Sequence, residues 1–287
     1  MYYALIMVSV LFSGIRMFSG DVYRRLRGES LWISLEYSML ASIAGVVILI
    51  PYNGFRVEYT HFTLAVSLFC TALNLTHMFC TFRALGMINL SLYSMFSMLG
   101  SMLLPFVAGI LFFEEPLTLA KGVCLVFLCT ALGLTVHRGE HSSGKWYYIG
   151  VFLLNGIYSV VNKIYADSTL EKASPTGFTI LTALCTVAVV PLLMLYLKRK
   201  TKVPARISFW CLAIGLGSGS LTQIAGVLLL TALSHVDASV QYPMVTGGII
   251  IISTVLSYFS QKKPSRRELL SVALAFTGLL ILFLMPQ

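Results

Sequence analysis

The chain has 287 residues, 57% of them hydrophobic and only 11% charged, with a net charge of +9. Ordinary soluble domains carry about 25% charged residues, so there are too few charges here to coat a water-facing surface. A soluble globular enzyme, a disordered chain and a nucleic-acid module are excluded, and lipid is the solvent for most of the chain.

A membrane-spanning helix needs ~20 predominantly apolar residues. In chain order the sequence predicts ten of them, at 2–19, 29–51, 61–83, 87–113, 118–137, 146–166, 174–197, 208–233, 236–260 and 268–286. The connections are short and leave no room for a soluble domain. Trp32, Trp146 and Trp210 fall near helix ends, where indole rings favour the lipid–water interface. Cys70, Cys80, Cys124, Cys129, Cys185 and Cys211 all lie in apolar runs without metal-ligand spacing, so no metal and no cofactor is expected. The first apolar run begins at Tyr2 without a basic segment before it, and no cleavage signal follows.

The two halves resemble each other at an offset of 148 residues. Leu73 meets Leu221, Ala84-Leu85 meets Ala232-Leu233, Ser91 meets Ser239, Gly100 meets Gly248, and Pro116 meets Pro264. Asn89 meets Asp237, each placed to cap the following helix after a very tight turn. Five helices per copy is an odd number, so the second copy runs upside down. The expected fold is all-α and integral to the membrane, with ten transmembrane helices in two inverted five-helix repeats, 1–141 and 142–287.

The stretch Ala84-Leu85-Gly86…Asn89-Leu90-Ser91-Leu92-Tyr93-Ser94, with Pro105-Phe106 and Phe113-Glu114-Glu115-Pro116 after it, resembles the EamA repeat of the drug/metabolite transporter superfamily. The second half, through Ala232-Leu233…Ala238-Ser239-Val240…Gly247-Gly248, is similar to the second repeat. It departs at Lys262-Lys263-Pro264, where the first half has Glu114-Glu115-Pro116. The resemblance implies a solute permease and names no substrate.

Basic residues concentrate in the odd-numbered connections: Arg24, Arg25 and Arg27; Arg138 and Lys145; and the stretches 198–206 and 262–267. Basic loops stay in the cytoplasm. By this rule both termini of a multi-pass plasma- or inner-membrane protein are extracellular, opposite to the orientation that the resemblance implies.

Intramembrane polar residues are functional candidates by default. Glu36 is the only carboxylate well inside an apolar run, and Arg16 sits at a matching depth on the preceding helix, so an Arg16–Glu36 gating or structural ion pair is expected. Asn74 and His77 share a face of the third helix, as do Asn155, Tyr158 and Asn162 on the sixth. Tyr93 with Ser97 and Ser101, Ser220 with Gln223, and Ser239 with Tyr242 and Thr246 form similar stripes on the fourth, eighth and ninth. Asn74, His77, Tyr93, Asn155, Tyr158, Gln223 and Tyr242 are therefore the expected substrate contacts at the bilayer midplane. Helix–helix hydrogen bonding is the competing reading of each residue taken alone.

The expectation is a secondary transporter, not an enzyme, working by alternating access. Its partners are the lipid bilayer, a small neutral or zwitterionic solute, and a coupling proton or ion, with no nucleic acid. The competing classes are an intramembrane serine-protease-like enzyme, traced to Gly217-Ser218-Gly219-Ser220 with His77 or His235 as base, and a lipid scramblase.

Overall fold

The computed structural model describes residues 2–112, 118–135, 145–199, 207–233, 238–260 and 263–284. They form α1 (Tyr2–Arg27), α2 (Leu31–Tyr52), α3 (His61–Met87), α4 (Leu90–Phe112), α5 (Leu119–Thr135), α6 (Lys145–Asp167), α7 (Pro175–Lys198), α8 (Phe209–Leu233), α9 (Ala238–Ser257) and α10 (Arg266–Leu284). Among the described residues, seven helices are long and apolar enough to cross a bilayer: α1–α4 and α6–α8. The described apolar stretches of α5 and α9 are shorter, at Gly122–Ala131 and Met244–Ser257.

Helix ends follow local chemistry. Ser30, Thr60 and Ser174 each cap the helix that follows by accepting a backbone N–H with the side chain. Asn89 caps α4 as expected, its Oδ1 accepting Leu92 N at 2.8 Å. The first helix runs well past the expected end at residue 19, because its last two turns satisfy their own charges. Asp21 binds Arg24 at 2.9 Å and Arg25 at 2.8 Å, one turn ahead of it. The helix stops at Gly28, whose φ of +104° suits glycine and whose N–H donates to Arg24 O at 2.7 Å.

The molecule is apolar outside and buries many polar side chains among its apolar core clusters. Val47, Phe69, Val126, Leu192 and Leu195 are exposed on helix flanks, whereas Ser67, Thr71, Ser91, Ser94 and Ser253 are buried. In water that arrangement would be costly, but in hydrocarbon it is the stable one. Most of the Ser and Thr hydroxyls donate to carbonyls of their own helix or to a neighbouring helix.

The helices pair in a regular way. α1 packs on α8 and α9, while α6 packs on α3 and α4. α2 meets α7 and α8, α3 meets α7, and α4 and α5 meet α9 and α10 respectively. Glycines allow the closest crossings. A Cβ on Gly100 would lie 2.2 Å from Phe152 O, one on Gly156 2.6 Å from Gly100 O, and one on Gly219 2.5 Å from Ala41 O. These are backbone atoms and cannot move aside, so small residues are required there.

Gly100→Ala should therefore lower the melting temperature of the purified protein, with a cost of about 1–3 kcal/mol. Gly217→Ala, which meets nothing within 4 Å, should leave it unchanged or raised. Thermal unfolding in detergent, followed by size-exclusion chromatography, measures both.

Candidate functional site

Helices α1, α2, α3 and α8 converge through an aromatic cluster of Tyr23, Tyr37 and Phe82, with ring centroids 5.0–6.3 Å apart. Glu36 sits at its edge, 5% exposed. Its carboxylate is fully engaged. Arg27 grips it with two bonds, Nη2 to Oε2 at 2.8 Å and Nε to Oε1 at 3.0 Å, and Tyr23 Oη donates to Oε1 at 2.5 Å. A bidentate guanidinium and a phenol satisfy a buried carboxylate as an unpaired site in lipid could not.

The expected Arg16–Glu36 pair is thus not formed in this conformation, for a geometric reason. Because α1 extends to Arg27, Arg16 lies eleven residues before the helix end, about 16 Å at 1.5 Å per residue. Glu36 lies only five residues into α2, about 7.5 Å from its start. The two belong to different depths, and Arg27 is the residue at the level of Glu36.

The remaining expected contacts divide into two groups. Tyr158 has Asn74, Asn162 and Cys70 as its polar neighbours. This cluster joins α3 to α6 near mid-depth, and Asn162 Oδ1 is buried without a hydrogen-bond partner among the described residues. The Nε2 of His77 is likewise buried and unpartnered. These side chains fit the interior polar stripe. In contrast, Asn155 is engaged between helices, its Nδ2 donating to Ser97 O at 2.7 Å and Ser97 Oγ at 3.0 Å, next to the Gly100–Gly156 crossing. Tyr93 Oη shares a 3.3 Å hydrogen bond with Thr81 Oγ1. Gln223 covers Gly45 of α2, its Nε2 3.0 Å from where a glycine Cβ would stand. The Tyr242 side chain, His235 and the acidic pair Glu114-Glu115 lie outside the described residues.

Several ties between the halves of the chain were not singled out in the sequence. On the side of the arginine-rich α1–α2 turn, Tyr37 Oη is hydrogen-bonded to Ser218 Oγ. Ser260 Oγ donates to Asp21 Oδ2 at 2.8 Å, and Ser91 Oγ pairs with Thr254 Oγ1 at 2.7 Å. Toward the other side, Thr63 Oγ1 meets Tyr165 Oη at 3.1 Å and Thr71 Oγ1 donates to Thr182 O at 3.3 Å. Glu58 accepts from Ser174 N at 2.5 Å and Ser174 Oγ at 2.8 Å, at the positive end of α7. Those two donors, the backbone N–H first, hold the Glu58 carboxyl below the ordinary carboxylate range. The only sequence signal for Tyr23 and Arg27 is their helical spacing from Arg16 along one face of α1.

No family model and no curated protein matches this chain. A solved structure described only as "Crystal structure of protein" is similar to 97% of this chain over 97% of its own length, with a TM-score of 0.63 and 15% sequence identity. At that identity the likeness concerns the fold alone.

Glu36→Gln and Arg27→Gln should each destabilise the protein by about 3 kcal/mol, and their double-mutant coupling should exceed ~1 kcal/mol. Arg16→Gln combined with Glu36→Gln should be additive. Chemical or thermal unfolding of the single and double variants checks both statements, and additivity of the Glu36–Arg27 pair would contradict them.

Proposed function

We propose that the chain is an EamA-type secondary transporter that moves a small organic metabolite across the membrane by alternating access. In this reading all ten helices span the bilayer, and 1–141 and 142–287 are inverted repeats. The observation that carries it is the exchange pattern of helix packing. Moving five helices along the chain turns α1·α8 into α6·α3, α1·α9 into α6·α4, and α2·α8 into α7·α3, while α2·α7, α4·α9 and α5·α10 map onto themselves. This is the contact pattern of two copies related by a two-fold axis, and it agrees with the offset of 148 residues. Inverted repeats around a midplane polar site are a common plan of secondary transporters.

The polar ties between the halves fall into two sets at opposite membrane sides. Tyr37–Ser218, Asp21–Ser260 and Ser91–Thr254 form one; Thr63–Tyr165, Thr71–Thr182 and Glu58–Ser174 form the other. Opening one set while the other holds would expose the interior to each side in turn. Each tie is a single hydrogen bond or a short cluster, with a net worth of about 0.5–1.5 kcal/mol for a neutral bond, so rocking costs little per contact. Ser218, one of the two serines of the enzymatic reading, is hydrogen-bonded to Tyr37.

Proteoliposomes holding the wild type should take up at least one component of a metabolite extract, read by mass spectrometry. Asn74→Leu or Tyr158→Phe should cut that uptake tenfold or more with little change in melting temperature. A wild type that moves no solute contradicts the transporter reading. For orientation, both termini are proposed to be extracellular. Alkaline phosphatase fused after Gln287 should be active, and a fluorescent cytoplasmic GFP fusion at the same place would reverse the assignment.

A further inference from the structure

Arg16 stands alone in the middle of the fold. It is partly buried on α1, about 16 Å from the helix end at Arg27 and about 21 Å from Tyr2. The charged end of α1 begins at Asp21, five residues or about 7.5 Å further along. It follows Ser9 by two turns and precedes Gly20 and Tyr23 by one and two, on the face of α1 that meets α2 and α8. Ser9 Oγ donates to Ala225 O at 2.9 Å, Gly20 lies under Tyr37 with its would-be Cβ 3.5 Å from Oη, and Tyr23 binds Glu36. The face is therefore interior. Among the described residues Arg16 makes no ion pair and no side-chain hydrogen bond. Its electrostatic neighbours are Tyr37 of α2 and His77 of α3.

Every other charge of the α1–α2 region is answered. Asp21 binds Arg24 and Arg25, Glu29 binds Arg24, and Glu36 binds Arg27. A guanidinium left unanswered at bilayer depth costs several kcal/mol, and Glu36, the one nearby carboxylate, is held by Arg27 and Tyr23. His77 adds a second group without a partner, its buried Nε2, which donates a hydrogen bond in the tautomer that carries the proton there. Helices α1 and α3 are in contact, and Met78, next to His77, packs on the Tyr23–Tyr37–Phe82 cluster one to two turns beyond Arg16. A guanidinium fork and a buried imidazole nitrogen, both without a partner in the same interior region, suit an oxyanion.

We propose that Arg16, assisted by His77, binds the carboxylate or phosphate of an organic anion, and that this anion is the transported solute. The inference rests on the transporter reading and sharpens it, replacing the neutral or zwitterionic solute expected from the sequence. The intramembrane carboxylate described here, Glu36, is occupied by Arg27 and Tyr23 and offers no free acid to an ammonium group.

The test uses the full chain in nanodiscs and four ring-matched probes: benzoate, phenyl phosphate, benzamide and benzylamine. Benzoate or phenyl phosphate should raise the melting temperature of the wild type, and benzamide and benzylamine should not. Which of the two anions acts tells a carboxylate site from a phosphate site. Arg16→Gln should weaken that binding at least tenfold, Arg16→Lys less, because lysine keeps the charge without the fork. The unliganded Arg16→Gln protein should melt no lower than the wild type, whereas a merely structural arginine would lower it. Stabilisation by no anion, or equal binding by Arg16→Gln, overturns the proposal. Uptake assays separate the two levels. Uptake of a neutral solute undisturbed by Arg16→Gln keeps the transporter and rejects the anion site. Anion binding without uptake of any solute keeps the site and rejects the transporter.

Discussion

Hydrocarbon offers no hydrogen bonds, and that single constraint organises this molecule. Each backbone group must be satisfied within its own helix, and each side-chain hydroxyl or amide must turn back to a carbonyl or find a partner across a helix interface. The outer surface can therefore be Val, Leu and Phe while the interior holds serines and threonines. Thr182, Thr186, Ser253 and Thr254 each bond to a carbonyl of their own helix. Ser91, Ser94, Thr63 and Asn155 reach across to another. The latter group ties particular helices together, alongside close packing, since lipid removes the hydrophobic driving force between helices.

Close approach is the second element, and glycine supplies it. The α4–α6 crossing brings Gly100 and Gly156 backbone to backbone, and the α2–α8 crossing lays Gly219 against Ala41. Dispersion and the polar bonds beside the crossings, such as Asn155 to Ser97, act only at such short range. The ion network of Asp21, Arg24, Arg25, Arg27, Glu29 and Glu36 then fixes the α1–α2 corner. It carries a further consequence: with these charges mutually neutralised, α1 extends inward and outward far enough to leave Arg16 at mid-depth. Glu36 is met by Arg27 at the helix end, and Arg16, deeper along α1, is left without an ion pair among the described residues.

Contiguous residues carry much of this architecture. Lipid as the solvent, the all-helical class, the caps at Ser30, Thr60, Asn89 and Ser174, and the tight turn between α3 and α4 follow from hydropathy and local hydrogen bonding, which depend on neighbours in the chain. That Asn74 and His77 share a face of α3, and Tyr158 and Asn162 a face of α6, follows from helical spacing, whereas the meeting of those two faces does not. The end of α1 was not legible, since hydropathy reads Asp21, Arg24 and Arg25 as loop when their mutual pairing makes them helix. The partners of Glu36, the engagement of Asn155 by Ser97, and the isolation of Arg16 were decided only by tertiary structure. Each depends on the rotation and vertical offset of one helix against another, and those are set by glycine crossings between segments far apart in the chain, which no local pattern encodes.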